Sequence, residues 1–74
     1  MSLWFGKSRT KFGDYLHRRG IKQRWLAGEA QVSETTISEL ASGKRETPTM
    51  KTASRIIKVL RQYDSEVSAE DFWG

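Results

Sequence analysis

The chain has 74 residues, no cysteine and a formal net charge of +4. That length holds one domain with a small core, and without cysteine neither a disulfide framework nor a thiolate zinc site can support it. Apolar runs are as short as Leu3-Trp4-Phe5, so no membrane span and no signal-peptide core is expected, and a cytoplasmic protein is the default.

The charge is unevenly placed. Through Arg61 the chain carries all 13 of its Lys and Arg against five acids (Asp14, Glu29, Glu34, Glu39 and Glu46), a balance of +8. From Gln62 onward it has no base and four acids: Asp64, Glu66, Glu70 and Asp71. A basic body suits a polyanionic ligand, with the acidic tail held away from it.

A first helix is predicted from about Ser8 or Thr10 to Arg19. Phe12 and Leu16 lie at i, i+4 on its inner face with Tyr15 beside them. Gly20 stops it, Arg18 and Arg19 complement its negative pole, and Ile21 follows as an apolar anchor. A second helix runs from about Gln23 to Ala30, burying Leu26 and Ala30, with Ala27 as the small residue where two close helices touch. Val32 is the apolar residue of the connection. Ser33 is placed to cap a third helix that buries Ile37 and Leu40 and turns Glu34, Thr35, Ser38 and Glu39 outward.

Gly43 ends that helix, and Pro48 bars helix at the residue before it. Thr49 then caps a fourth helix with an apolar stripe of Ala53, Ile56, Ile57 and Leu60. Ser68 with Asp71 is close to a capping box and opens a terminal turn carrying Phe72 and Trp73. No run alternates with period two for long enough to make a sheet. The expected fold is all-α, with four helices and a terminal turn. Trp25 is expected to seal the first or fourth helix to the second, the alternative being an exposed anchor for a partner. Phe72 and Trp73 are expected to dock on the domain, whereas Trp4 and Phe5 have no assigned place.

The stretch from Gln23 to Leu40, QRWLAGEAQVSETTISEL, resembles the helix-turn-helix of the lambda-repressor and Cro-like (XRE-type) DNA-binding proteins of phages and bacteria. The likeness rests on Gln23, the Leu26-Ala27 pair, Val32-Ser33, Ile37 and Leu40, and continues through Gly43-Lys44-Arg45 and Pro48. It covers roughly residues 12–60. Two positions depart from the pattern. Gln31 stands where the family often has glycine, which asks a non-glycine residue for a left-handed backbone. Lys22 stands where a Ser or Thr cap is common.

The resemblance implies a compact four-to-five-helix domain over residues 1–74. Its helix-turn-helix core is at about 23–42, flanked by flexible or docking ends at 1–7 and 62–74. It further implies a sequence-specific regulator of transcription on double-stranded DNA, a repressor acting as a dimer on operator half-sites. Base readout would fall to Glu34, Thr35, Ser38 and Glu39 at the outward face of the third helix. That face has no Arg, Lys, Asn or Gln, so direct readout is expected to be thin. Phosphate and groove-edge contacts would fall to Lys22, Gln23, Arg24, Ser33, Ser42, Lys44 and Arg45. Lys7, Arg9 and Lys11 would add general attraction.

Weak self-association, stabilised on DNA, is expected because one small recognition helix reads only a few base pairs. A protein antirepressor or co-regulator is a further partner of such regulators. The alternative function is a protein-interaction module that keeps the fold while Glu34 and Glu39 face a partner; Glu34 also has a purely structural use at the positive end of its own helix. Catalysis finds no support. His17 is the lone histidine and reads as an exposed polar residue, no Gly-rich phosphate loop follows a strand, and the serines lack a base. No metal or other cofactor is expected.

Overall fold

The computed structural model describes residues 10–74, and every described element is helical. Five helices follow in order: α1 (Lys11–Arg18), α2 (Gln23–Ala30), α3 (Glu34–Ser42), α4 (Met50–Leu60) and α5 (Glu70–Trp73). α3 packs between α2 and α1, α2 also packs on α4, and α5 rests on α1. No helix is long and apolar enough to cross a membrane, among the described residues. The expected all-α architecture is the observed one. Leu3, Trp4, Phe5, Lys7 and Arg9 lie outside the described residues.

Most of the helix ends follow the local chemistry. Ser33 and Thr49 each accept the backbone N–H three residues on, at 3.1 and 3.2 Å. Thr10 caps α1 and also reaches across the fold. Its hydroxyl accepts the Gly13 N–H at 3.0 Å, and its single proton faces the Leu40 and Ala41 carbonyls at 2.9 and 3.1 Å. Its own N–H donates to Ala41 O at 3.0 Å. One residue therefore satisfies an orphan donor at the head of α1 and orphan acceptors at the foot of α3. Lys22 provides no side-chain cap for α2.

The connection between α2 and α3 turns on Gln31, which sits in the left-handed region at φ 58°, ψ 46°. The Gln31 N–H donates to Gly28 O and the Val32 N–H to Ala27 O, the paired closure of a Schellman motif. A left-handed backbone costs an ordinary L-residue about 1 kcal/mol relative to glycine. The Gln31 carbonyl, which accepts from Arg55 Nη1 at 3.3 Å, belongs to the backbone and survives side-chain removal. Gln31→Gly is therefore expected to raise folding stability by about 0.5–1 kcal/mol. Urea unfolding checks this, and a loss of stability would show that the side chain contributes more than the strain costs.

The fully buried side chains Phe12, Leu16, Leu26, Ile37, Leu40, Ile56 and Leu60 form one core drawn from α1 to α4. The prediction missed three buried residues around that core, Ala41, Val59 and Val67, and overstated one, since Ala53 is only half-buried. Val67 enters because the chain after α4 folds back. Arg61 Nε donates to its carbonyl at 2.8 Å. Asp64 ties the same segment to α1, its Oδ2 accepting from the Tyr15 hydroxyl at 2.9 Å and lying 3.1 Å from Arg19 Nη2. Burial, reinforced by the bond to Asp64, raises the Tyr15 phenol above its ordinary pKa.

The terminal aromatics dock as expected. Phe72 and Trp73 pack on Phe12 with ring centroids 5.5 and 5.1 Å away, and Phe72 meets Tyr15 edge-on at 5.1 Å. The Ser68 N–H donates to Asp71 Oδ2 at 2.9 Å, which is one arm of the anticipated capping box. Trp25 does not fill a helix seam. It stays 40% exposed and meets Tyr63, just past α4, edge-on at 5.9 Å.

Candidate nucleic-acid interface

Burial of Ile37, Leu40 and Ala41 against α1 and α2 fixes which side of α3 meets solvent. With 100° per residue, that leaves Glu34, Thr35 and Ser38 exposed and Glu39 at the margin. These four residues border one shallow depression together with Ser42 and Lys44. The four residues expected to read bases are thus contiguous, and two of the expected rim residues stand beside them.

A second hollow adjoins the first and shares Ser38 and Ser42 with it. Gln23 lines it from α2 and His17 from α1. Gln23 opens α2, whose first-turn amides receive no side-chain cap. Unpaired N–H groups at the positive end of a helix, next to a glutamine side chain, can hold an oxyanion.

The acids on this face are engaged with bases. Arg45 donates to Glu39 Oε1 from Nε at 3.3 Å and from Nη2 at 3.1 Å, and its N–H also binds the Glu39 carbonyl at 3.1 Å. This holds the loop after α3 against the helix and places the Arg45 guanidinium at its edge. Arg24 Nε comes within 3.9 Å of Glu34 Oε1, a loose and largely exposed contact. Both carboxylates are thereby partly neutralised. Lys22 and Lys44 are exposed and have no ion-pair partner among the described residues.

Two expected contact residues are used within the fold itself. The Ser33 hydroxyl accepts the Thr36 N–H and donates to Thr36 Oγ1 at 2.8 Å, so it is occupied as a cap. The Ser42 hydroxyl donates to Glu39 O and accepts the Lys44 N–H, both at 3.4 Å, leaving it loosely held. Sequence reasoning set His17 aside, yet it borders the hollow, and nothing in the sequence alone marked it.

The acidic tail runs along the other flank of α1. Asp71 and Phe72 adjoin Lys11, Tyr15 and Arg18, whereas Gly13 and His17 on the opposite flank face α3. Asp64 is paired with Arg19. Asp64 and Asp71 therefore lie away from the outward face of α3. Among the described residues no cluster of His, Cys, Asp and Glu fit to hold a metal ion occurs. Compared with known proteins, no family model, no curated protein and no solved structure matches the chain.

Proposed function

We propose that this protein is a sequence-specific double-stranded DNA-binding regulator of transcription, a phage-type or bacterial repressor using α2 and α3 as a helix-turn-helix. The observation that carries the reading is the outward face of α3. It is contiguous, exposed because its opposite side is buried, and bordered by Lys44, by Gln23 across the adjoining hollow, and by Arg45 through its bonds to Glu39. In this reading α3 enters the major groove. Thr35 and Ser38 meet base edges, Glu34 and Glu39 accept from cytosine amino groups, and Gln23, Ser42, Lys44 and Arg45 hold the flanking phosphates. Pairing of Glu39 with Arg45 and of Glu34 with Arg24 supports it, because each base offsets a carboxylate that would otherwise repel the phosphates.

Salt-dependent binding to a panel of duplexes tests the proposal. Lys44→Ala is expected to weaken all sequences alike, lowering the log–log salt slope by about one, whereas Arg45→Ala should weaken binding and also shift preference at the base pair met by the released Glu39. Thr35→Ala and Ser38→Ala are expected to alter sequence preference by about 1–3 kcal/mol per affected base pair. Sedimentation of the saturated complex should give two chains per duplex, as a weak dimer assembled on paired half-sites requires. A protein that bound no duplex at low salt would instead be a protein-docking module, the reading favoured by two glutamates on its most prominent face.

A further inference from the structure

We infer that His17 is a proton-controlled contact to a DNA backbone phosphate, which makes DNA affinity depend on pH. The inference extends the DNA-binding reading and rests on it.

The ground is geometric. His17 is on the flank of α1 turned to α3 and shares one open hollow with Gln23 of α2 and with Ser38 and Ser42 of α3. Ser38 and Ser42 also border the depression holding Thr35 and Lys44. The imidazole therefore stands beside the outward face of α3, on the side where α2 begins. Leu16, Ile21 and Ala41 give the hollow an apolar floor. Among the described residues the side chains of His17, Gln23 and Ser38 make no hydrogen bond within the protein. Polar groups from three helices that converge on one hollow and lack internal partners suit a ligand with several acceptor oxygens. A phosphodiester passing the groove edge has that chemistry.

The charges around the imidazole set the direction of the effect. From α3 only the uncharged Ser38 and Ser42 face it, and from α2 Gln23, with the cation Lys22 just before. Glu34 and Glu39 of α3 border the other depression and are turned to Arg24 and Arg45. On α1 itself Arg18 follows His17, and its guanidinium is 3.4 Å from Asp14. Asp71 of α5 lies on the opposite flank of α1. No carboxylate borders the hollow, so a phosphate would be the anion that meets the imidazolium. Imidazole charge changes between pH 5 and 8. Affinity gained through protonation is present at the acid end of that range and lost as pH rises.

The test uses a duplex that the wild-type protein enriches from a random pool at pH 8, titrated by fluorescence anisotropy at fixed ionic strength. Between pH 8 and pH 5.5 wild-type affinity is expected to rise about two- to fivefold, the worth of one exposed ion pair. The salt slope should steepen by about 0.9, the signature of one more neutralised phosphate. His17→Gln should lose both responses whatever its affinity at pH 8, and His17→Lys, charged throughout the range, should bind equally tightly at either pH. A wild-type response that persisted in His17→Gln, or a flat wild-type profile, would overturn the inference while leaving DNA binding intact. Failure to enrich any duplex at low salt would overturn the DNA-binding reading and this inference together.

Discussion

Phe12→Ala is expected to remove about 3–5 kcal/mol of folding stability, the cost of emptying a fully buried aromatic site. A domain of this length is stabilised by only about 4–11 kcal/mol in total, so the variant should be partly unfolded at ambient temperature. Position as well as size explains the effect. Phe12 is on α1, meets Phe72 and Trp73 edge-on or tilted, and is the platform on which the terminal turn rests. Truncation therefore opens a cavity in the main core and undocks the tail at once. Denaturant unfolding followed by circular dichroism measures the loss, and Phe12→Leu, which keeps most of the volume, should retain more than half the stability. A Phe12→Ala loss below about 1 kcal/mol would mean that the tail collapses into the vacated space.

Gly13→Ala should destabilise the fold by about 2–3 kcal/mol, against the local propensity of its helix. In a helix interior alanine is ordinarily favoured over glycine by about 1 kcal/mol. At Gly13, however, an added Cβ would sit 2.2 Å from the Ala41 carbonyl oxygen and 3.0 Å from its carbon. Both are backbone atoms, so the only relief is to push α1 and α3 apart. That movement would break the Thr10 bonds to Leu40 and Ala41 and tilt the helix proposed to enter the groove. Gly28 is the matched control. It is also helical and has nothing within 4 Å of its virtual Cβ. Gly28→Ala is expected to stabilise by about 0.5–1 kcal/mol. Opposite signs for the two substitutions in thermal unfolding are the expected result; a Gly13→Ala variant as stable as wild type would refute the close approach of α1 to α3.

The legible part of this fold is its local chemistry. Ser33 and Thr49 cap helices because a hydroxyl three residues before a free amide closes a short loop that needs no distant partner. Gly20 and Gly43 end helices in left-handed backbone for an equally local reason. The inward faces of α2 and α3 followed from spacing, since burying Leu26, Ile37 and Leu40 at helical period leaves one solution. Val59 and Val67 were not legible, because a stripe argument assumes one buried face per helix and cannot foresee a segment that folds back. Trp25 was misplaced for a similar reason: its partner Tyr63 lies beyond the helices expected to enclose it.

For the candidate interface the division is similar. The sequence by itself determined an all-helical chain, a basic body with an acidic tail, and the group Glu34, Thr35, Ser38 and Glu39 on one side of α3, because charge and helical period are properties of neighbours along the chain. Only the tertiary structure decided that Glu39 grips Arg45, that Asp71 lies on the far flank of α1, and that His17 meets Gln23, Ser38 and Ser42 around one hollow. Those relations join residues from different elements. The hollow at His17 lies where α1 and α3 approach closely at Gly13, a distance set by backbone packing.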